Sequence, residues 1–325
     1  MIGIRDFQRQ DSEAISALFR TVYGERYVYP DIYMPSMISW HNAQGHWHSA
    51  IAEQNGTIIG HAALWQHDTD KEAAELAMFA VHPVIRNRGV ATQLGKHLLL
   101  IANKLGLGTL TIKMVSSHQH SQRLAKTLGF HSTALLRDYV PSPFQSGQRE
   151  SIILGVLLLQ PRPVPLAVDD SRHDCWINLL KEKFGTAHIP PARETIAAPV
   201  EISICDDRVD VTINKSISQT VNEISRLPDC KLIHIRVPID GSLMSLRQRL
   251  WQGGYTDMGL APSAEGRWFW LLQRGYRSQQ LELSCPIAIA LQKMNCAEHC
   301  QFCSATSSAW VSGSSAWKRC SRSAG

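Results

Sequence analysis

Apolar and polar positions change period several times along this 325-residue chain, and each change marks an element. Residues 2–7 read as a strand. Asp11 then stands where an N-cap would precede an amphipathic helix that buries Ile15, Leu18, Phe19 and Val22. An aromatic loop follows, with Tyr23, Tyr27, Tyr29 and Tyr33 interrupted by Pro30 and Pro35, too much proline for one regular helix. Residues 48–53 and 57–65 alternate as a hairpin around Asn55-Gly56, a pair that supplies the positive φ angles of a tight turn. Residues 75–81 form the next strand. From Val90, the positions Val90, Leu94, Leu98, Ile101 and Leu105 share one helical face, and Gly106 ends the helix. Residues 109–115 return to strand period with Leu110, Ile112 and Met114 on one side. A short helix over 121–128 stops at Gly129, and strands over 130–136 and 151–159 complete a β-α-loop-β-β-β-α-β-α-β-β order.

Three alternating prolines in Gln160-Pro161-Arg162-Pro163-Val164-Pro165 predict an extended, unpaired connection, which sets the domain boundary there. The expected organisation is one domain over 1–160, a second α/β domain over 161–278 and a poorly ordered cysteine-containing tail over 279–325. In the second domain, helices are expected from 171, from 216 and over 242–251. Strands are expected over 200–204, 209–213, 232–237 and 268–273. The helix, glycine and aromatic of 246–255 echo those of 124–130, the mark of an internal duplication.

Composition narrows the class. The chain is 44% hydrophobic, and its longest apolar run, residues 152–159, falls well short of the roughly 20 residues that cross a bilayer. Residues 1–11 carry charges of both signs and no apolar core, unlike a signal peptide. All eight cysteines lie in the second half at irregular spacing, which points to a reducing cytoplasm, not a disulfide framework. The net charge is +5, but Lys318, Arg319 and Arg322 sit in an acid-free tail, and without them it is +2. Neither a nucleic-acid nor a membrane partner is expected.

The chemistry concentrates in Glu75-Leu-Ala-Met78-Phe79-Ala80-Val81-His-Pro-Val-Ile-Arg86-Asn87-Arg88-Gly89-Val90-Ala91. A strand enters a turn of arginines and glycine, and a helix starts at once. Several N–H groups therefore point at one spot, suited to a pyrophosphate, and Gly89 permits close approach.

This segment resembles the GNAT acyltransferase motif Gln/Arg-x-x-Gly-x-Gly/Ala through Arg86, Gly89 and Ala91. The late segment from Gln122 to Gly129-Phe130 resembles a second GNAT signature, and the element order agrees over about residues 2–159. The resemblance implies a mixed, mostly antiparallel α/β (α+β) sheet flanked by helices, with the second α/β domain a degenerate relative. It implies acetyl-CoA as co-substrate, with pyrophosphate at Arg86–Ala91 and pantetheine along Met78, Phe79, Ala80 and Val81. It also implies transfer of an acyl group to the amine of a small molecule by direct attack.

An amine attacks only when unprotonated, so a proton acceptor is required. Glu75, six residues before Val81, matches a glutamate that several GNAT enzymes use as base; the other reading is a solvated strand-end carboxylate. A tyrosine is common four residues before the Gly-Phe pair as general acid, and Ala125 stands there instead. His118 is the substitute candidate, with His120 beside it and Tyr139 weaker. Tyr23, Tyr27 and Tyr33 are candidates for the acceptor pocket, or local packing. A domain that holds CoA without catalysis is the alternative.

Cys296, Cys300 and Cys303 have the C-x3-C-x2-C spacing that resembles the iron–sulfur motif of radical S-adenosylmethionine enzymes. Only 22 residues follow Cys303, and they show no periodic pattern. The expectation is a truncated remnant of a fused enzyme that holds no cluster, with a zinc site as a distant second. The second domain is expected to shape the substrate site without binding CoA, because Pro238-Ile-Asp240-Gly241 places an acid where pyrophosphate would sit.

Overall fold

A computed structural model describes residues 2–67, 71–144, 147–165, 174–192, 198–205, 207–215, 218–228, 231–263, 267–277 and 279–295. The cysteine triplet lies outside them.

Strand β1 (Gly3–Asp6) is an edge strand, and Arg5 on it pairs bidentately with Asp11 at 2.7 and 2.9 Å. Asp11 also accepts the Gln8 amide at 2.7 Å, so it closes the turn before helix α1 (Ser12–Tyr23) and is not the side-chain cap expected for it. Ile15, Leu18 and Phe19 of α1 are fully buried. The proline-rich loop contains a helix the sequence reading missed, α2 (Pro35–Ala43), with Pro35 at the first turn, where its lacking N–H costs nothing.

Strands β2 (Trp47–Gln54) and β3 (Thr57–Trp65) form the hairpin, with Asn55 at φ 52° and Gly56 at φ 77°. Strand β4 (Ala73–Val81) continues the sheet and leads into α3 (Val90–Lys104). On α3, Val90, Leu94, Leu98 and Ala102 face the core, while Leu105 has turned outward. Strand β5 (Thr109–Val115), helix α4 (His120–Thr127), and strands β6 (His131–Pro141) and β7 (Arg149–Leu158) complete the first unit.

The connection after β7 is not unpaired. Val164–Pro165 (β8) bridges Thr186–Ala187 (β9), Arg162 donates to the Ser263 carbonyl at 3.1 Å, and Trp268 Nε1 donates to the Pro163 carbonyl at 3.2 Å. Helix α5 (Asp174–Phe184) lies between β8 and β9. Then come β10 (Val200–Cys205), β11 (Arg208–Ile213), α6 (Ser218–Ser225), β12 (Leu232–Pro238), α7 (Leu243–Gln252), β13 (Thr256–Pro262) and β14 (Trp268–Arg274).

All but the β8–β9 pair join one twelve-stranded sheet in the order β1-β2-β3-β4-β5-β7-β6-β13-β14-β12-β11-β10. The second unit repeats the first. In β3-β4-β5-β7-β6 the successive pairings are antiparallel, parallel, antiparallel and antiparallel, and β10-β11-β12-β14-β13 gives the same series. Both α4 and α7 end in the same hydrogen bond across a positive-φ glycine, Phe130 N–H to Ala125 C=O at 2.9 Å and Tyr255 N–H to Leu250 C=O at 3.1 Å. The units meet through their equivalent strands β6 and β13, antiparallel, as an approximate two-fold about the seam requires.

That seam has one registered pair, Gly259 with Ala134. The Gln273 side chain supplements it, accepting the Arg137 amide at 2.7 Å and donating to the Arg137 carbonyl at 3.2 Å. Ala134, Leu136, Tyr139, Met258 and Leu271 pack over it.

Part of the expected tail is ordered. Residues 286–295 form a helix (α8) that buries Ile287, Ala288 and Leu291. Gln122 of α4 holds the segment before it, donating to Glu282 O at 2.8 Å and accepting the Ser284 amide at 3.0 Å. No helix among the described residues is long and apolar enough to cross a membrane, and no group of His, Cys, Asp or Glu among them converges as a metal site.

Candidate active site

The cleft begins where β4 leaves β5. The two strands pair in parallel only at Ala73–Thr109, Ala74–Leu110 and Glu75–Thr111, and then diverge. The divergence coincides with Met78 at φ 55°, a conformation costly for a residue with a Cβ. Two partners hold it. His61, fully buried on β3, lies 3.0 Å through Nδ1 from the Met78 carbonyl and 3.1 Å through Nε2 from Ser49 Oγ, an arrangement suited to a neutral ring donating to Met78. Burial pushes the His61 pKa down to about 4, against an opposing contribution from the Met78 bond. Tyr23 Oη donates to the Phe79 carbonyl at 2.8 Å.

Beyond Val81 the chain makes a short 3-10 turn at Pro83–Ile85 and two left-handed residues, Asn87 at φ 64° and Gly89 at φ 73°, before α3 starts. The N–H groups of residues 87–92 donate to no described residue, and α3 has no side-chain cap. They form an anion nest at a helix N-terminus. A Cβ built on Gly89 would meet nothing within 4 Å, so the space over the nest is open.

Nest and cleft belong to one cavity of about 760 Å³. Glu75 lies on its wall, 7% exposed, and accepts from Lys113 Nζ at 2.7 Å. Lys113 is about a third exposed, towards the cavity. Desolvation lowers its pKa, but Glu75, Tyr29 and Tyr139 more than offset this, so it stays protonated. Tyr23, Tyr27 and Tyr29 line the same wall, with ring centroids 4.8 Å apart for the first two and 5.8 Å for the second pair. Burial raises all three phenol pKa values by desolvation, that of Tyr23 to about 12 despite the opposing charge of Arg86. They are neutral aromatic surfaces with polar tips.

On the opposite wall, His118 and His120 have ring centroids 5.3 Å apart. His118 Nδ1 and Ser121 Oγ are buried with no hydrogen-bond partner among the described residues. A second carboxylate, Glu150 on β7, is 9% exposed and accepts from Ser142 Oγ at 2.8 Å and Ser117 Oγ at 3.1 Å.

An open anion nest feeding a cavity with a carboxylate at its far end suits a phosphate-bearing thioester and an amine. Residues 12–130 match the family model described as Acetyltransferase (GNAT) family. This part of the chain is a GNAT acetyltransferase domain. No curated protein matches the chain in sequence. Among solved structures, the GNAT region is similar to the ribosomal-protein-S18-alanine N-acetyltransferase of Escherichia coli, at 20% identity over 52% of this chain and 98% of that one (TM-score 0.41). It is also similar to an N-acetyltransferase of Staphylococcus aureus Mu50, at 20% identity over 49% and 99% (TM-score 0.42). A GNAT-family acetyltransferase of Streptococcus pneumoniae aligns at 17% identity over 49% and 100% (TM-score 0.43). Likeness at this level says nothing about substrate.

Within the GNAT domain, Glu75, Met78, Phe79, Val81, Arg86, Asn87, Gly89, Val90, Ala91, His118, Tyr23 and Tyr27 all line the cavity. Ala80 is instead buried in the core under α1, and Arg88 is an exposed residue off the wall. Tyr33 stands behind the wall, its Oη accepting the Tyr27 amide at 2.9 Å and its ring under Arg20. Ala125 lies in the core, so Ser121 and Leu124 form that stretch of wall. Sequence reasoning missed Lys113 and Glu150. Lys113 could have been found as the one charged residue in an otherwise apolar alternating strand. Glu150 reads as a strand boundary until β5 and β7 are paired.

No described residue after Ile152 lines the cavity, so the second unit does not shape it directly. It braces β6 from behind: Arg208 donates to the Tyr139 carbonyl and lies 3.8 Å over the Tyr139 ring. Its own equivalent cleft is shut, because β11 and β12 pair from Arg208–Leu232 through Thr212–Arg236. The segment Pro238–Gly241, read as the counterpart of the nest, precedes α7 and so corresponds to the β5–α4 connection. The true counterpart follows β11 at 214–217, of which 216–217 lie outside the described residues.

Proposed function

We propose that the protein is an acyl-CoA-dependent N-acyltransferase, with acetyl-CoA as donor and a small-molecule amine as acceptor, working in the cytoplasm. The observation that carries this reading is that the nest at residues 87–92 opens into the same cavity as Glu75 and Lys113. The nest and Arg86 would hold the pyrophosphate, and the unpaired edge of β4 after Glu75 would receive the pantetheine amides. Acetyl-CoA supplies an activated acyl thioester.

The residues of the chain then divide the proton work. Lys113 stays protonated against Glu75, and its charge disfavours an ammonium ion nearby, so an amine entering there loses its proton more readily. Glu75 takes that proton as the N–C bond forms and the C–S bond breaks. His118 donates to the departing sulfur, a role that would use its unpartnered ring nitrogen. Ala125 at the usual acid position favours one other reading, a domain that binds CoA without turnover.

Thiol release from acetyl-CoA with a panel of amines separates the two. Turnover is expected, with kcat falling roughly 100-fold in Glu75→Gln while CoA affinity is unchanged. No thiol with any amine, or full activity in the Gln variant, would refute the catalytic assignment.

A further inference from the structure

We propose that Glu150 anchors the acceptor, and that the acceptor is a primary amine carrying a second ammonium group, an α,ω-diamine. This rests on the acyltransferase reading for its turnover arm and on the cavity alone for its binding arm.

Glu75 and Glu150 lie on the same face of the sheet. Val115 pairs with Ile152 and Lys113 with Leu154, so the same register carried two residues past the end of β5 sets Ser117 against Glu150, as its 3.1 Å hydrogen bond shows. The two carboxylates differ in their company. Glu75 is neutralised by Lys113, whereas Glu150 is held by two serine hydroxyls and has no ion pair among the described residues.

Three Lys and Arg side chains line the cavity. Lys113 is committed to Glu75, Arg123 donates to Gln119 Oε1 at 3.1 Å, and Arg86 sits beside the nest, where phosphates would engage it. Arg149, next in sequence, turns away to the Asp138 and Tyr139 carbonyls and to Asp207. Glu150, 9% exposed, is thus the cavity carboxylate without an ion-pair partner among the described residues, in a cavity rimmed by Tyr23 and Phe144, whose rings are 5.8 Å apart. A buried carboxylate beside aromatic faces is a receptor for an alkylammonium, which satisfies both by ion pairing and by cation–π attraction. A carboxylate-bearing acceptor would be repelled there.

Ser117 lies four residues on from Lys113, two of them past the end of β5, a span of at most about 13 Å for extended chain. Straight-chain diamines of about four to ten carbons therefore bracket the distance between the two carboxylates. Across that series, the diamine is expected to exceed the monoamine of equal length at least tenfold in kcat/KM, and to exceed the ω-amino acid by more. Glu150→Gln, which keeps an acceptor oxygen for the serines, is expected to erase the preference by raising KM, with the KM for acetyl-CoA unchanged. Because the ligand comparison uses the unaltered protein, it does not depend on the variant folding.

Calorimetric titration of the same diamines without acetyl-CoA tests the site apart from turnover. Diamine binding that Glu150→Gln weakens at least tenfold supports the anchor even if no thiol is ever released, in which case the acyltransferase reading alone falls. Equal kcat/KM for diamine, monoamine and amino acid, or diamine affinity unchanged by Glu150→Gln, would overturn the proposal.

Discussion

Lowering the pH from 7 to 5 should destabilise the protein through His61 by an amount that the structure sets. The ring is buried beneath α1, 5.6 Å from Phe19, with both nitrogens in hydrogen-bond contact, and its pKa in the folded state is about 4 against 6.5 for a free histidine. Between those values the unfolded chain binds a proton that the folded chain refuses. Stability is therefore complete above about pH 6.5 and declines as the pH falls toward 4. Each pH step of one between those values costs about 1.4 kcal/mol, so about 2 kcal/mol is lost by pH 5 and about 3 kcal/mol by pH 4. Urea unfolding of the wild type and His61→Gln at pH 7 and pH 5 isolates this contribution, because every other titrating group cancels in the difference. The variant should be less stable at pH 7, having lost the bond to the Met78 carbonyl, and should lose about 2 kcal/mol less than wild type on going to pH 5. Equal pH sensitivity in the two proteins would refute the claim that His61 is buried neutral beside Met78.

The seam between the units should be equally sensitive to one methyl group. A Cβ at Gly259, whose φ is 110°, would lie 2.3 Å from the Thr133 carbonyl oxygen and 2.6 Å from the Ala134 Cα, both backbone atoms that cannot yield. Gly259→Ala should cost about 2–4 kcal/mol in urea unfolding, and a loss below about 1 kcal/mol would mean the strands do not meet there. Asp257→Asn should cost about 3–5 kcal/mol, because it leaves the Arg247 guanidinium, 1% exposed between Trp251 and Trp270, without its counter-charge. Tryptophan fluorescence during unfolding would follow it directly, and a near-neutral change would contradict the pairing.

Much of the fold was legible because it depends on local chemistry. The Asn55-Gly56 turn, the α3 face and the α4–Gly129 stop are written in residues a few positions apart, and the echo at Gly254 lies within a strand order that repeats that of the first unit. Helix α2 escaped because proline usually breaks a helix, although at a first turn it is compatible with one. Asp11 has the composition of a cap, yet it is taken by Arg5 from the neighbouring strand, a partner no local pattern announces. The same limit applies to the site. The Arg86–Ala91 turn is contiguous, so its residue types reveal it. Glu75 and Glu150 are held by Lys113 and Ser117, which reach them across strand pairings that the linear order does not contain.

Calorimetric titration of CoA into the wild type and Gly89→Val asks whether the proposed anion nest at residues 87–92 receives the phosphates of coenzyme A. The valine is strained at φ 73°, but its Cβ meets nothing within 4 Å, so its effect should fall mainly on ligand approach. The account predicts saturable binding to the wild type and at least tenfold weaker binding to the variant, about 1.4 kcal/mol. No heat from the wild type, or equal affinity in both proteins, would contradict it.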